Sequence, residues 1–172
     1  MKAYLDIETS FDGAITIVGL CTPDRGLIQL VGTKISDVAV WQALEGVETV
    51  CTYNGSRFDL PVIRRRLGLD LCQAFRSHDL MYDCWRHGLF GGLKRVEAQL
   101  GIPRRSKGID GMDAMRLWSR YEDGGDEEAL QVLLTYNSED VLNLPVLDAR
   151  LVELESTYAR RDLDLGVPAE SV

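Results

Sequence analysis

Residues Tyr4-Leu5-Asp6-Ile7-Glu8 constrain this chain more than any other stretch. Ala3, Leu5 and Ile7 alternate with Asp6 and Glu8, which is the period of an extended strand whose side chains point to opposite faces. The apolar set must then face a core, and the two carboxylates share the other side. Acids this close repel, and burial would strip their hydration as well, so they call for a compensating partner. Ligands that offer only oxygen suit a hard divalent ion such as Mg²⁺ or Mn²⁺. Asp6 and Glu8 are therefore candidate metal ligands. A solvated edge strand carrying two ordinary acids would read the same way, and these residues alone do not separate the two accounts.

The rest of the composition narrows the setting. At 172 residues, 45% hydrophobic and 27% charged, the chain has the size and make-up of one globular domain. It shows no apolar run of membrane-spanning length and no leader pattern, and Cys21, Cys51, Cys72 and Cys84 form no Cys-x-x-Cys pair. Reduced, buried thiols and a cytoplasmic location are expected. Zinc held by these cysteines with His78 or His87 is disfavoured, and neither histidine has a serine or cysteine partner at a spacing that suggests nucleophilic catalysis. The net charge of −8 argues against binding nucleic acid by general attraction. Two bound divalent ions would halve that charge and make an acidic cleft attractive to phosphate.

Three strand-like runs come first, at 3–8, 14–21 and 27–32, separated by the turn formers Phe11-Asp12-Gly13 and Pro23-Asp24-Arg25-Gly26. Connections this short predict an antiparallel meander. A helix is expected from Ser36, as N-cap, to Leu44, with Val38, Val40, Trp41 and Leu44 as its apolar positions. Thr49–Tyr53 reads as a buried strand, Phe58–Leu67 as a helix stopped by Gly68, and His78–Tyr82 as a short extended segment. Leu93, Val96 and Leu100 share one helix face, closed by Gly101 and Pro103. Helical patterns over Asp113–Tyr121 and Glu127–Tyr158 follow, the second expected to break near Asn137 and Pro145. The expected fold is α/β, a mixed five-stranded sheet with three antiparallel strands, then parallel strands, flanked by helices. It occupies 1–155, with 156–172 a C-terminal tail whose polar end after Arg160 is read as disordered.

Further carboxylates could complete a site. Asp59 stands at a strand-to-helix junction, where functional side chains reach a sheet edge, although a routine helix cap there would look the same. Tyr136 and Asp140 are four apart and so project from one helix face, a metal ligand beside a phenol able to hold water. If strands one and four are neighbours and the last helix crosses their ends, Asp6, Glu8, Asp59 and Asp140 converge. Oxygen clusters of this type hold two ions roughly 3.5–4 Å apart for attack on phosphate esters.

Together these residues resemble the three exonuclease motifs of the DEDD superfamily: Asp6-x-Glu8, Asn54-Gly-x-x-Phe-Asp59 and Tyr136-x-x-x-Asp140. The tyrosine resembles the DEDDy branch, with its ribonuclease H-like fold, and the chain looks similar to YprB-type domains and family B polymerase proofreading domains. The resemblance implies that Asp6 bridges two metals, Mg²⁺ or Mn²⁺. Glu8 and Asp140 would complete the water-activating site, Asp59 would support the second ion, and Tyr136 would orient the water. It implies 3′-to-5′ removal of nucleoside monophosphates from single-stranded DNA or RNA ends.

Substrate contacts are expected from Asn54, Arg57 and Phe58 beside Asp59, with Phe58 as an aromatic wedge or a core residue. Lys94 and Arg95, and a basic loop of Arg104, Arg105 and Lys107, could hold phosphates. Consecutive Arg64, Arg65 and Arg66 point in different directions and read as a solvated helix surface. A non-catalytic nucleic-acid-binding module, or an endonuclease on the same scaffold, is the competing class.

Overall fold

The computed structural model describes residues 1–106 and 108–164. Strands β1 (Lys2–Thr9), β2 (Ile15–Thr22) and β3 (Gly26–Val31) form the antiparallel meander. β4 (Thr49–Thr52) and β5 (Arg76–Asp79) run parallel to β1 on its other side. The order β3-β2-β1-β4-β5 makes β1 the central strand, which removes the edge-strand account of Asp6 and Glu8. This is the mixed sheet of a ribonuclease H-like fold.

Helices cover both faces. Ala3, Leu5 and Ile7 of β1 join Val18, Leu20 and Val50 in a core under α1 (Asp37–Ala43), α2 (Asp59–Leu67) and α3 (Leu71–Ala74). The opposite face, which carries Tyr4, Asp6 and Glu8, lies under α4 (Leu80–Arg86), α5 (Leu93–Gln99), α6 (Gly111–Gly124) and α7 (Glu127–Asp164). Two apolar clusters flank the acids there, one around Cys51, Leu144 and Leu147, the other around Ile17, Trp118 and Leu133. The carboxylates thus sit in a polar gap between two dry patches. At one end of β1, Asp148 of α7 accepts from Tyr4 Oη at 2.7 Å and Lys2 Nζ at 2.5 Å. Further along β1, Gly19 of β2 lies beside Asp6, and a Cβ there would come within 2.3 Å of Asn137 Oδ1 and 2.6 Å of Val141 Cγ2. Glycine is what lets α7 approach the sheet.

Several expectations need correction. The helix α7 runs unbroken through Asn137 and Pro145 to Asp164. Asn137 does not compete for its own backbone, because its side-chain amide is committed to Asp6 and Gln29. Pro145 removes one helix bond, at about 3 kcal/mol, but buried Leu144, Leu147 and Leu151 hold the turns around it to the core, each worth about 2 kcal/mol. Residues 156–164 continue α7, and 165–172 lie outside the described residues. The extended segment ends at Asp79, not Tyr82, because the Asp79 carboxylate caps α4 by accepting from Met81 N–H at 3.2 Å. In α1, Ser36 caps as expected, but Val38 and Trp41 are exposed. Val40, Ala43 and Leu44 form the buried stripe. All four cysteines are free, and Cys72 is exposed, not buried. No helix among the described residues is long and apolar enough to cross a membrane.

Candidate metal centre

Three chain segments converge above β1. Asp6 and Glu8 come from the strand itself, and Asp140 from α7, the helix that Gly19 admits. Each offers a carboxylate oxygen, and these oxygens lie within 4.8 Å of one another. It is the one such ligand group among the described residues, so no cysteine–histidine zinc site appears there. Asp59 stands close by but outside this trio: its Oδ1 accepts from Ile7 N–H on β1 at 2.9 Å. Phe58, not Asp59, occupies the cap position of α2, and the Asp59 side chain ties α2 to the strand rather than capping its own helix. Tyr136, one turn before Asp140, is buried against the same gap.

Burial and mutual repulsion act together on these acids. Asp6 is pushed well above the usual carboxylate range by desolvation, then by the charges of Asp59, Glu8 and Asp140. Glu8 is raised to about 8 by burial and by Asp140 and Asp59. Asp59 reaches about 7, chiefly by burial, although the Ile7 amide pulls it back. Asp140 rises only to about 6, because Arg104 and Lys94 offset its desolvation. One Glu8 oxygen, Oε1, is buried with no hydrogen-bond partner among the described residues. Buried carboxylates that repel, with an oxygen left unpaired, fit a divalent cation: its charge would cancel the repulsion and its coordination would satisfy the orphan. Asp6, Glu8 and Asp140 are the residues able to hold it.

The cluster opens onto a cleft of about 610 Å³ lined by Asp6, Tyr53, Asn54, Lys94, Arg95 and Tyr136 among others. Asn54 adopts a left-handed backbone (φ 62°), and Asp79 secures that turn by accepting from Asn54 N–H (2.7 Å), Ser56 N–H (3.1 Å) and Ser56 Oγ (2.6 Å). Lys94 Nζ donates to Tyr136 Oη at 3.0 Å and to the Ile109 carbonyl. Arg95 lines the cleft as well, whereas Arg57 lies over Tyr82 and Trp85 at 6.0 and 5.7 Å. Phe58 is exposed rather than in the core. Arg64 pairs with Asp70 and Arg66 reaches the Asp12 carbonyl, as a solvated helix face would.

Within the basic loop, Arg104 is engaged by acidic side chains, while Arg105 is exposed. The Arg104 side chain is nine-tenths buried, donating through Nε to Glu97 Oε2 at 2.9 Å and through Nη2 to Asp140 Oδ1. Glu139 of α7 accepts from the Arg105 and Ser106 amides at 2.7 and 2.8 Å, pinning the loop. Lys107 lies outside the described residues. Sequence reading missed Asp79, Glu97, Arg104 and Asn137 as parts of this centre. A signal existed for two of them. Glu97 is one turn beyond Leu93 on the buried face of α5, and Asn137 interrupts the Leu133–Val141–Leu144 stripe of α7.

A ribonuclease H-like sheet with acids gathered over its central strand is an arrangement whose carboxylates could hold a metal ion. The chain belongs to the RNase_H superfamily: its RNase_H_2 family matches residues 3–152. Among solved structures, the chain is similar to the family B DNA polymerase from the hyperthermophilic archaeon Pyrobaculum calidifontis, with a TM-score of 0.60 and 14% identity. That match covers 83% of this chain and 24% of the polymerase, so the chain spans about a quarter of that protein's length. At this identity the likeness concerns the fold. No curated protein matches the chain.

Proposed function

We propose that this chain is a metal-dependent 3′–5′ exonuclease of the DEDDy type, acting on single-stranded DNA or RNA ends and using two Mg²⁺ or Mn²⁺ ions. One observation carries the reading: half-buried Asp6 and buried Glu8 and Asp140 place carboxylate oxygens within 4.8 Å of one another, with Tyr136 one helical turn before Asp140. The superfamily and the open cleft beside the cluster support it.

Divalent ions bound here would supply positive charge to the phosphate and lower the pKa of an attacking water. The chain's own residues supply the rest. Asp6, Glu8 and Asp140 would hold that charge at the central strand, and Asp59, tied to the Ile7 amide, would add negative potential nearby. Tyr136 is held protonated: burial and the charges of Asp140, Glu8 and Asp6 push its phenol above the ordinary range. Such a phenol orients water and does not abstract its proton. Lys94 already fills the acceptor side of Tyr136 Oη, so the phenolic proton is left for Asp140 or for a water in the cleft. Arg95 and the Asn54 turn would receive the strand end.

The test is digestion of 5′-labelled single-stranded DNA and RNA with Mg²⁺ or Mn²⁺, beside Asp6→Asn. A descending ladder that disappears in the variant is expected, and the faster substrate names the nucleic acid. An inert wild type that also binds no Mn²⁺ by calorimetry would refute catalysis and leave a binding module.

A further inference from the structure

The loop between α5 and α6 carries an arrangement that the proposed chemistry does not use. The Arg104 side chain is nine-tenths buried, with Nε on Glu97 and Nη2 on Asp140, and its Nη1 is buried without a partner among the described residues. Glu97 is itself almost wholly buried and also accepts from Asn143 Nδ2 at 2.9 Å. That same amide lies 3.4 Å from the Pro103 carbonyl, and Glu139 holds the next two backbone amides of the loop. Glu139, Asp140 and Asn143 lie on one face of α7, so a single helix face grips the loop on both sides of Arg104.

Stability does not account for such a pair. A buried ion pair is seldom better than apolar side chains of the same volume, and an unpartnered guanidinium nitrogen makes this one worse. An arginine beside a cation site should also weaken it by repulsion. Here Glu97 cancels that charge from the far side, so the guanidinium can hold Asp140 without setting a net positive charge against the ion. Its planar fork offers donors in a fixed geometry to both carboxylates at once, a rigidity that a lysine ammonium lacks.

We propose that Arg104, neutralised and fixed by Glu97, is a positioning residue for Asp140: it takes one carboxylate oxygen and leaves the other for a divalent ion shared with Asp6 and Glu8. The consequence for cleavage rests on the nuclease reading above, but the consequence for metal binding does not. Outer partners of metal ligands typically change affinity 10–100-fold when altered, so Arg104→Lys and Glu97→Gln should each weaken Mn²⁺ binding by about tenfold or more. The double variant should be no weaker than the worse single one, since both act through one contact.

The experiment is calorimetric Mn²⁺ titration of wild type, Glu97→Gln, Arg104→Lys and the double variant, after urea melts show which are folded. Kinetics on a labelled single strand accompany it. Weakened Mn²⁺ binding in folded variants, with kcat reduced and KM for nucleic acid unchanged, supports the proposal. Glu97→Gln is isosteric and decides the matter alone if the Arg104 variants do not fold. Wild-type Mn²⁺ affinity in folded Glu97→Gln, or tighter binding in Arg104→Lys, overturns the proposal while leaving a nuclease that cleaves. A wild type that neither binds Mn²⁺ nor cleaves overturns both.

Discussion

Replacing Glu8 by glutamine should stabilise the metal-free protein at neutral pH, and by an amount that depends on pH in a defined way. Glu8 has an ordinary value of 4.5, raised to about 8 in the folded chain. Between those values the folded state holds a proton that the unfolded state has released, so stability falls as pH rises through the window. At about 1.4 kcal/mol per pH unit, the cost of keeping Glu8 protonated is about 3 kcal/mol at pH 7 and about 5 kcal/mol above pH 8. Glutamine mimics the protonated acid in shape and leaves the buried Oε1 position equally unpaired. The two proteins should therefore coincide near pH 4 and separate progressively above it. With a urea slope of about 2 kcal/mol per molar, the pH 7 gap is roughly 1.5 M in midpoint. The assay is urea denaturation in EDTA at half-unit steps from pH 4 to 8, repeated with Mn²⁺. Mn²⁺ should raise the wild-type midpoint more than the variant's and so narrow the gap. A gap that does not change with pH, or a variant less stable than wild type at pH 7, would refute the account of Glu8 as a repelled, desolvated acid.

Other expectations follow from single contacts. Gly19→Ala forces a methyl into Asn137 and Val141 of α7 and should cost about 1–3 kcal/mol by overpacking, read as a lowered melting temperature. Tyr136→Phe keeps the buried ring but loses the oriented hydroxyl. Cleavage should slow by about 10²-fold while Mn²⁺ affinity stays near wild type, checked by single-turnover kinetics beside calorimetry. Asp79→Ala strips the acceptor from Asn54 and Ser56 and should destabilise by about 2–3 kcal/mol, with weaker binding of a fluorescent single strand in Ca²⁺.

The parts of this fold that sequence reading captured are those set by local rules. Alternation around Asp6 and Glu8 placed both acids on one face, and the four-residue spacing placed Tyr136 and Asp140 together on α7. Short turns gave the meander, and turn chemistry marked the ends of α1, α2 and α5. What escaped depends on distant partners. Pro145 reads as a break because its cost is local, whereas the leucine burial that keeps α7 continuous is tertiary. Arg104 reads as a surface cation because nothing nearby in sequence reveals Glu97 and Asp140 around it. Asp79 reads as one acid in a strand end, although its work is done on residues 54 to 56.

The long reach of this centre along the chain sets an order of events during synthesis. Asp6 and Glu8 are made well before Asp140, and the helix that brings Asp140 also closes the roof over the strand. Until α7 docks, the early acids remain hydrated and the sheet bears none of their repulsion. Docking expels that water and gathers the ligands in a single act. A ribosome-bound chain not yet extended through α7 would then have no assembled carboxylate cluster, and the trio would form only as that helix meets the sheet.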